Sequence, residues 1–292
     1  MSDANDVVDF KRGLSEEFLR DLKDGWLAGL LACAHEQELD VQIREDYVNF
    51  YHQGCSVLKL THHSHLSAYR AEIHVKYVSG LSLPGRQNRG GNYAVFNTSD
   101  VFVEAYVQRI ADIMANAGHY VKPESTVEKS LITASFDTSS PVVFIDRQVQ
   151  VHGVPKRIDM VGVTRPPQGE PQFILAELKE GLDASIQRVT GQIAGYHRVL
   201  VNEDGVLKDC VHRAYQDVVD QKIQLGLLPP CVTFPEAEAR VECLVVLCNC
   251  SAKSQLPDRL RQEARQSTLR ARLVLLDEGC FALPPQEQWE RL

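Results

Sequence analysis

Residues 156–196 read KRIDMVGVTRPPQGEPQFILAELKEGLDASIQRVTGQIAGY, and the rest of the chain is organised around them. Two apolar runs of strand length, Ile158 to Val163 and Phe173 to Leu178, flank a connection carrying Pro166, Pro167, Gly169 and Pro171. Proline cannot donate to a ladder, so these residues belong in the turn of a hairpin. Folding the hairpin about its midpoint, Gln168, sets Asp159 opposite Glu177. Side chains alternate with a period of two along a strand, so Lys179 shares the face of both carboxylates.

Two like charges on the rim of a sheet are unfavourable unless a cation sits between them. Mg²⁺ is the natural one, because it takes hard oxygen ligands and keeps several waters. Asp159, Glu177 and the backbone carbonyl of Leu178 supply a sufficient protein donor set. Such a site activates water for phosphodiester hydrolysis, with Lys179 positioning the water or neutralising charge that grows on the phosphate.

Asp159 followed by Glu177-Leu178-Lys179 at the end of an apolar strand resembles the core of the PD-(D/E)XK nuclease superfamily. The resemblance implies a glutamate on the helix before the first strand, and Glu128 in VEKSL, ahead of PVVFIDRQVQV, matches it. Glu104 and Glu124 compete for that role; Glu128 is nearest the strand. Some branches of the family carry Gln-x-x-x-Tyr on the following helix, which Gln192 and Tyr196 match. These two lie four apart and share a helix face, from which they are expected to hydrogen-bond the lysine or a substrate phosphate. Ile158 stands where the family name has proline, a position that does no chemistry. The tripeptide alone is weak, since Asp21-Leu22-Lys23 and Asp220-Gln221-Lys222 match it in helical patterns with no acidic strand before them. The ordered set from Glu128 to Tyr196 is what discriminates.

The 292 residues have 44% hydrophobic and 24% charged content, ordinary for globular protein. Their 31 basic against 39 acidic side chains do not announce a nucleic-acid binder, though a local basic surface is all that gripping a phosphate backbone requires. Such a surface is expected in SAKSQLPDRLRQEARQSTLRARL, where Lys253, Arg259, Arg261, Arg265, Arg270 and Arg272 face only Asp258 and Glu263. The eight cysteines are scattered without paired C-x-x-C spacing, and no signal peptide or membrane span is legible, so the expected location is the reducing cytoplasm. Cys248 and Cys250 point the same way on the expected strand RVECLVVLCNC, but further ligands for a metal or cluster are not evident.

Before the nuclease-like core, Ser15 opens a helical stripe of Phe18, Leu19, Leu22, Trp26, Leu27 and Leu30. LDVQIREDYVNFYHQGCSVLKL then alternates as a meander of three short strands. THHSHLSAYRAEIH reads as a polar loop; a zinc site built on His62, His63, His65, Glu72 and His74 is the competing reading. GRQNRGGN, residues 85–92, reads as a flexible linker at a domain boundary, or as a contact to phosphates. VFVEAYVQRIADIMANAG is a helix capped at Thr98 and stopped at Gly118. A short helix from Pro123, a helix after Gly205, the strand over 240–250 and a closing strand ARLVLLDEG complete the pattern.

The expected fold is α/β: a mixed central sheet flanked by helices over 96–292, restriction endonuclease-like, preceded by a small α+β domain over 1–95. The resemblance implies an enzyme, a Mg²⁺-dependent nuclease with Mn²⁺ as a substitute, acting on DNA in preference to RNA, in defence or repair. Asp159 and Glu177 would hold the metal with Glu128 as third carboxylate, Lys179 would orient water, and Gln192 and Tyr196 would support the site. A one-metal site cutting both strands favours a homodimer or larger assembly. The competing reading keeps the scaffold as an inactive binding or interaction subunit.

Overall fold

The computed structural model describes residues 10–63, 65, 68–87, 91–151, 157–165, 170–180, 189–250, 254–266 and 271–292. They divide into two compact units: Arg12–Lys129 with Asp217–Pro230, and Ser130–Gln216 with Cys231–Leu292 and Met1–Lys11. Among the described residues no helix is long and apolar enough to cross a membrane.

In the first unit Ser15 caps α1 (Glu16–Lys23), its Oγ accepting from the Phe18 N–H at 3.4 Å. The i, i+4 spacing of Phe18 and Leu22 buries both. The chain turns at Gly25 into α2 (Ala28–Glu36), then enters the expected meander, β1 (Asp40–Ile43), β2 (Tyr47–His52) and β3 (Cys55–His63). β4 (Ala68–His74), β5 (Arg86–Gln87) and β6 (Tyr93–Asn97) extend it to a six-stranded antiparallel sheet ordered β1-β2-β3-β4-β6-β5. α3 (Asp100–Gly118) lays Phe102, Tyr106, Ile110 and Ile113 into one core with Val57, Leu60 and Ile73.

Three expectations are corrected here. THHSHLSAYRAEIH is mostly sheet, because Tyr69, Ala71 and Ile73 alternate inward on β4 and outweigh the polar residues between them. The boundary drawn over 85–95 cuts through β5 and β6: Arg86 pairs with Phe96, Gln87 pairs with Val95, and Ala71 of β4 pairs with Phe96. Arg89, in that segment, lies outside the described residues. The division instead follows Lys129, inside α4 (Pro123–Ala134). The cap of α3 is Ser99, one residue beyond Thr98, with its side chain accepting from the Phe102 N–H.

The second unit carries β7 (Val142–Val149), β8 (Ile158–Thr164), β9 (Phe173–Glu180), α5 (Val189–Leu200), α6 (Asp209–Gln224), β10 (Val241–Cys248), α7 (Leu256–Gln266), β11 (Ala271–Leu276) and β12 (Glu290–Arg291). α6 crosses the division and ends in the first unit. The sheet runs β12-β11-β10-β9-β8-β7, with β9, β10 and β11 parallel and the other pairs antiparallel. The chain is thus α/β, and this sheet is mixed, as expected. β10 sits between two parallel neighbours, so LVVLC is buried at every position, as an apolar run without alternation requires. Gly162 lies where β7 and β8 press together; a Cβ there would sit 2.9 Å from the Val143 carbonyl oxygen and 2.9 Å from Val142 Cγ1.

One part of the sequence crosses back into the first unit unforeseen. Gln221, near the end of α6, accepts from the Leu14 N–H at 2.8 Å and donates to the Leu14 carbonyl at 2.9 Å. Lys222 Nζ donates to Gln42 Oε1 at 2.8 Å.

Candidate functional site

The β8–β9 register pairs Met160 with Ala176 and Val163 with Phe173, and the ladder stops at Met160. Carried one step further, it sets Asp159 opposite Glu177, as the folding of the hairpin about Gln168 requires; Gln168 itself lies outside the described residues. On the other side β7 pairs Arg147 with Met160 and Val149 with Ile158, which brings Gln148 alongside Asp159.

Where the ladder stops, side chains replace it. The N–H and C=O of one strand residue point to the same side, so Leu178 turns both toward β8 and both need partners. Asp159 Oδ2 accepts the Leu178 N–H at 2.9 Å. Lys179 Nζ donates to the Leu178 carbonyl at 2.9 Å and to Glu177 Oε1 at 2.8 Å, and stands 3.7 Å from Asp159 Oδ2. Three oxygens, from Asp159, Glu177 and Leu178, therefore face one cationic nitrogen. Glu177 is 1% exposed and Lys179 5% exposed, so water does little to screen this charge. Burial raises the Asp159 carboxyl above the ordinary aspartate value, against the opposing pull of the Lys179 charge, the Leu178 N–H and Gln148.

The hard-oxygen set of two carboxylates and a carbonyl fits Mg²⁺. The fit rests on oxygens already gathered around one positive charge. Among the described residues no three His, Cys, Asp or Glu side chains gather as a ligand group. Glu128 is nevertheless buried at 2% in α4, whereas Glu104 and Glu124 are exposed.

No protein-family model, curated protein or solved structure matches the chain.

Gln192 and Tyr196 sit on α5, whose Val189, Ile193, Tyr196 and Leu200 are buried; Ile186, expected on the same stripe, lies outside the described residues. Tyr196 donates its hydroxyl to the Arg157 carbonyl at 2.5 Å rather than to Lys179, which ties α5 to the residue just before β8. Burial raises the Tyr196 phenol, the Glu177 charge adds to the rise, and a hydrogen bond from Gln192 opposes it. Tyr196 thus fixes the backbone two residues before Asp159.

Gln148 is a neighbour the sequence reading missed. Its backbone is left-handed, with φ of 49°, a conformation that non-glycine residues adopt where surrounding structure enforces it. Its signal was the position in PVVFIDRQVQV that lines up with Asp159 once β7 is paired.

The expected arginine surface is partly consumed by the chain's own acids. Arg261 forks onto both Glu290 oxygens, at 2.7 and 2.8 Å, and bonds Asp258 at 2.7 Å. Arg272 bonds Glu242. Arg259 and Arg265 are exposed on α7; Arg270 and Lys253 lie outside the described residues.

The histidine segment forms no metal-ligand group among the described residues. His62 is a core residue: it meets Ser15 Oγ through Nδ1 at 3.1 Å and stacks on Tyr69 with ring centroids 4.7 Å apart. Cys248 is buried on β10 and its thiol is pushed up to about 12, so it stays protonated and behaves as a small apolar side chain.

Proposed function

We propose that the chain is a Mg²⁺-dependent nuclease of the PD-(D/E)XK kind, with a restriction endonuclease-like sheet, hydrolysing phosphodiester bonds in DNA in preference to RNA. One observation carries this reading: Glu177, the Leu178 carbonyl and Asp159 converge on the Lys179 ammonium where the β8–β9 ladder stops.

Asp159, Glu177 and the Leu178 carbonyl would hold Mg²⁺, or Mn²⁺ in its place, which when bound supplies Lewis-acid charge at a phosphate oxygen. Lys179 orients the attacking water and offsets negative charge developing on the phosphate. Asp159 must be ionised to act as a ligand, and its raised carboxyl sets the acid limb of activity above that of an ordinary aspartate. Tyr196 holds the Arg157 carbonyl, and with it the entry of β8, so that Asp159 keeps its place.

The test incubates the protein with labelled single- and double-stranded DNA and RNA in Mg²⁺, Mn²⁺ or EDTA. Cleavage is expected with either metal, none with EDTA, and none from Lys179→Ala or Asp159→Ala. Metal-dependent cleavage that survives both substitutions removes the assignment.

A second reading, an inactive binding subunit on the same scaffold, draws on the 2.8 Å contact of Lys179 with Glu177, which compensates the buried charge internally. Calorimetric titration with Mg²⁺ separates the two. Heat of binding that disappears in Asp159→Ala supports the enzyme, and no binding supports the subunit.

A further inference from the structure

At the far end of the second unit's sheet, Gln172, Arg240, Glu242, Arg272 and Arg291 line a cavity of about 630 Å³. This is the end where β9, β10 and β11 begin, whereas Glu177 and Lys179 lie where β9 finishes. Seven residues of strand separate Gln172 from Lys179, about 23 Å at ~3.3 Å per residue. The cavity is therefore distinct from the carboxylate site.

Its charge is unbalanced. Arg272 and Arg291 are directly paired across the antiparallel β11–β12 ladder. Like charges placed opposite each other in a sheet are destabilising unless an anion lies between them. Glu242 answers Arg272, and among the described residues no other acidic side chain lines the cavity. Arg240 and Arg291, both exposed, keep their charge available. Guanidinium groups present planar forks of N–H donors that match phosphate oxygens, and the cavity volume falls within the ~300–1,000 Å³ typical of small-molecule sites.

We propose that this cavity is a phosphate-binding site, taking either the phosphate of a free nucleotide or a backbone phosphate of a nucleic acid, with Arg240 and Arg291 as its principal ligands and Gln172 as an added polar contact. The site does not depend on the nuclease reading, since none of its residues belongs to the carboxylate cluster.

The experiment measures binding in EDTA, where no cleavage interferes, using inorganic phosphate, ATP and a fluorescein-labelled oligonucleotide as separate probes. Wild type, Arg240→Ala/Arg291→Ala and Arg291→Glu are compared; the two arginines are exposed, and circular dichroism checks that each variant is folded. At least one probe is expected to bind, with affinity falling roughly tenfold or more in both arginine variants. Phosphate or ATP binding that depends on the arginines assigns a free ligand, and arginine-dependent binding of the oligonucleotide alone assigns the backbone. Failure of all three probes to bind, or equal binding by wild type and arginine variants, overturns the proposal. Neither result alters the cleavage test.

Discussion

Replacing Lys179 with Met keeps the length of the side chain and deletes its charge, leaving Glu177, 1% exposed, facing Asp159 without the ammonium between them. Removing one partner of a buried ion pair costs about 3–5 kcal/mol, because the remaining charge stays buried and uncompensated. With a urea m-value of about 2 kcal/mol/M, the midpoint falls by roughly 1.5–2.5 M. The chain has two tryptophans, Trp26 in the first unit and Trp289 in the second, and Trp289 is buried with its indole N–H donating to the Pro284 carbonyl at 2.9 Å. In a Trp26→Phe background, tryptophan fluorescence therefore follows the unit that holds the site. Acidification should relieve the loss. Without the ammonium, the buried carboxylates bind protons in the folded state at higher pH than in the unfolded chain, so the penalty is full at alkaline pH and shrinks as pH falls. Adding Glu177→Gln to Lys179→Met removes both charges together and should return most of the lost stability, to within about 1 kcal/mol of wild type. A single variant as stable as wild type at neutral pH, or a double variant no better than the single one, refutes the charge-cluster account.

Asp159→Asn keeps an acceptor for the Leu178 N–H while deleting a charge that burial disfavours, so the variant should equal or exceed wild type in stability, by a margin that grows as pH rises through the raised carboxyl value, with metal-dependent cleavage falling roughly 100-fold or more. Urea unfolding and a cleavage assay check the two halves. Tyr196→Phe removes the bond to the Arg157 carbonyl and should cost about 0.5–1.5 kcal/mol, lowering kcat more than it raises KM because it loosens Asp159 rather than a substrate contact. Gly162→Ala drives a methyl into the Val143 carbonyl and Val142, and a loss of about 1–3 kcal/mol is expected by urea unfolding. Iodoacetamide mass mapping at pH 8 should label the exposed Cys231 and Cys280 while sparing Cys33, Cys243 and Cys248, whose thiols burial pushes up to about 11, 12 and 12.

The hairpin was legible because its information is local. A period of two and a proline-bearing connection suffice to put Asp159 across from Glu177, and the observed register agrees with that arithmetic. The meander of β1–β3 and the end of α3 at Gly118 were legible for the same reason. The unit boundary was not, since it depends on β6 pairing with β4 and on Gln221 reaching back to Leu14, pairings between distant residues that leave no periodic trace. Composition misled at GRQNRGGN and at the histidines. Glycine and arginine there read as a linker, yet Arg86 and Gln87 pair with β6; His62 and Tyr69 pair across β3 and β4 because of the apolar residues beside them. The partners of Tyr196 and Arg261 were likewise hidden, because a side chain's target depends on which element its helix packs against.

The site itself follows from an interrupted ladder. Were β8 and β9 paired one step further, the backbone would satisfy Leu178, and Asp159 and Lys179 would have no reason to turn inward. Because pairing ends at Met160, the Leu178 N–H and carbonyl are left for side chains, and only an acceptor on one flank and a donor on the other can satisfy them. An aspartate and a lysine meet that demand, and both carry charge into a nearly dry place. Glu177 then balances the lysine, which leaves three oxygens around a single positive centre. The arrangement that closes the backbone's hydrogen bonding is thus the same one that assembles a hard-cation donor set, so a substitution that alters either role should alter the other.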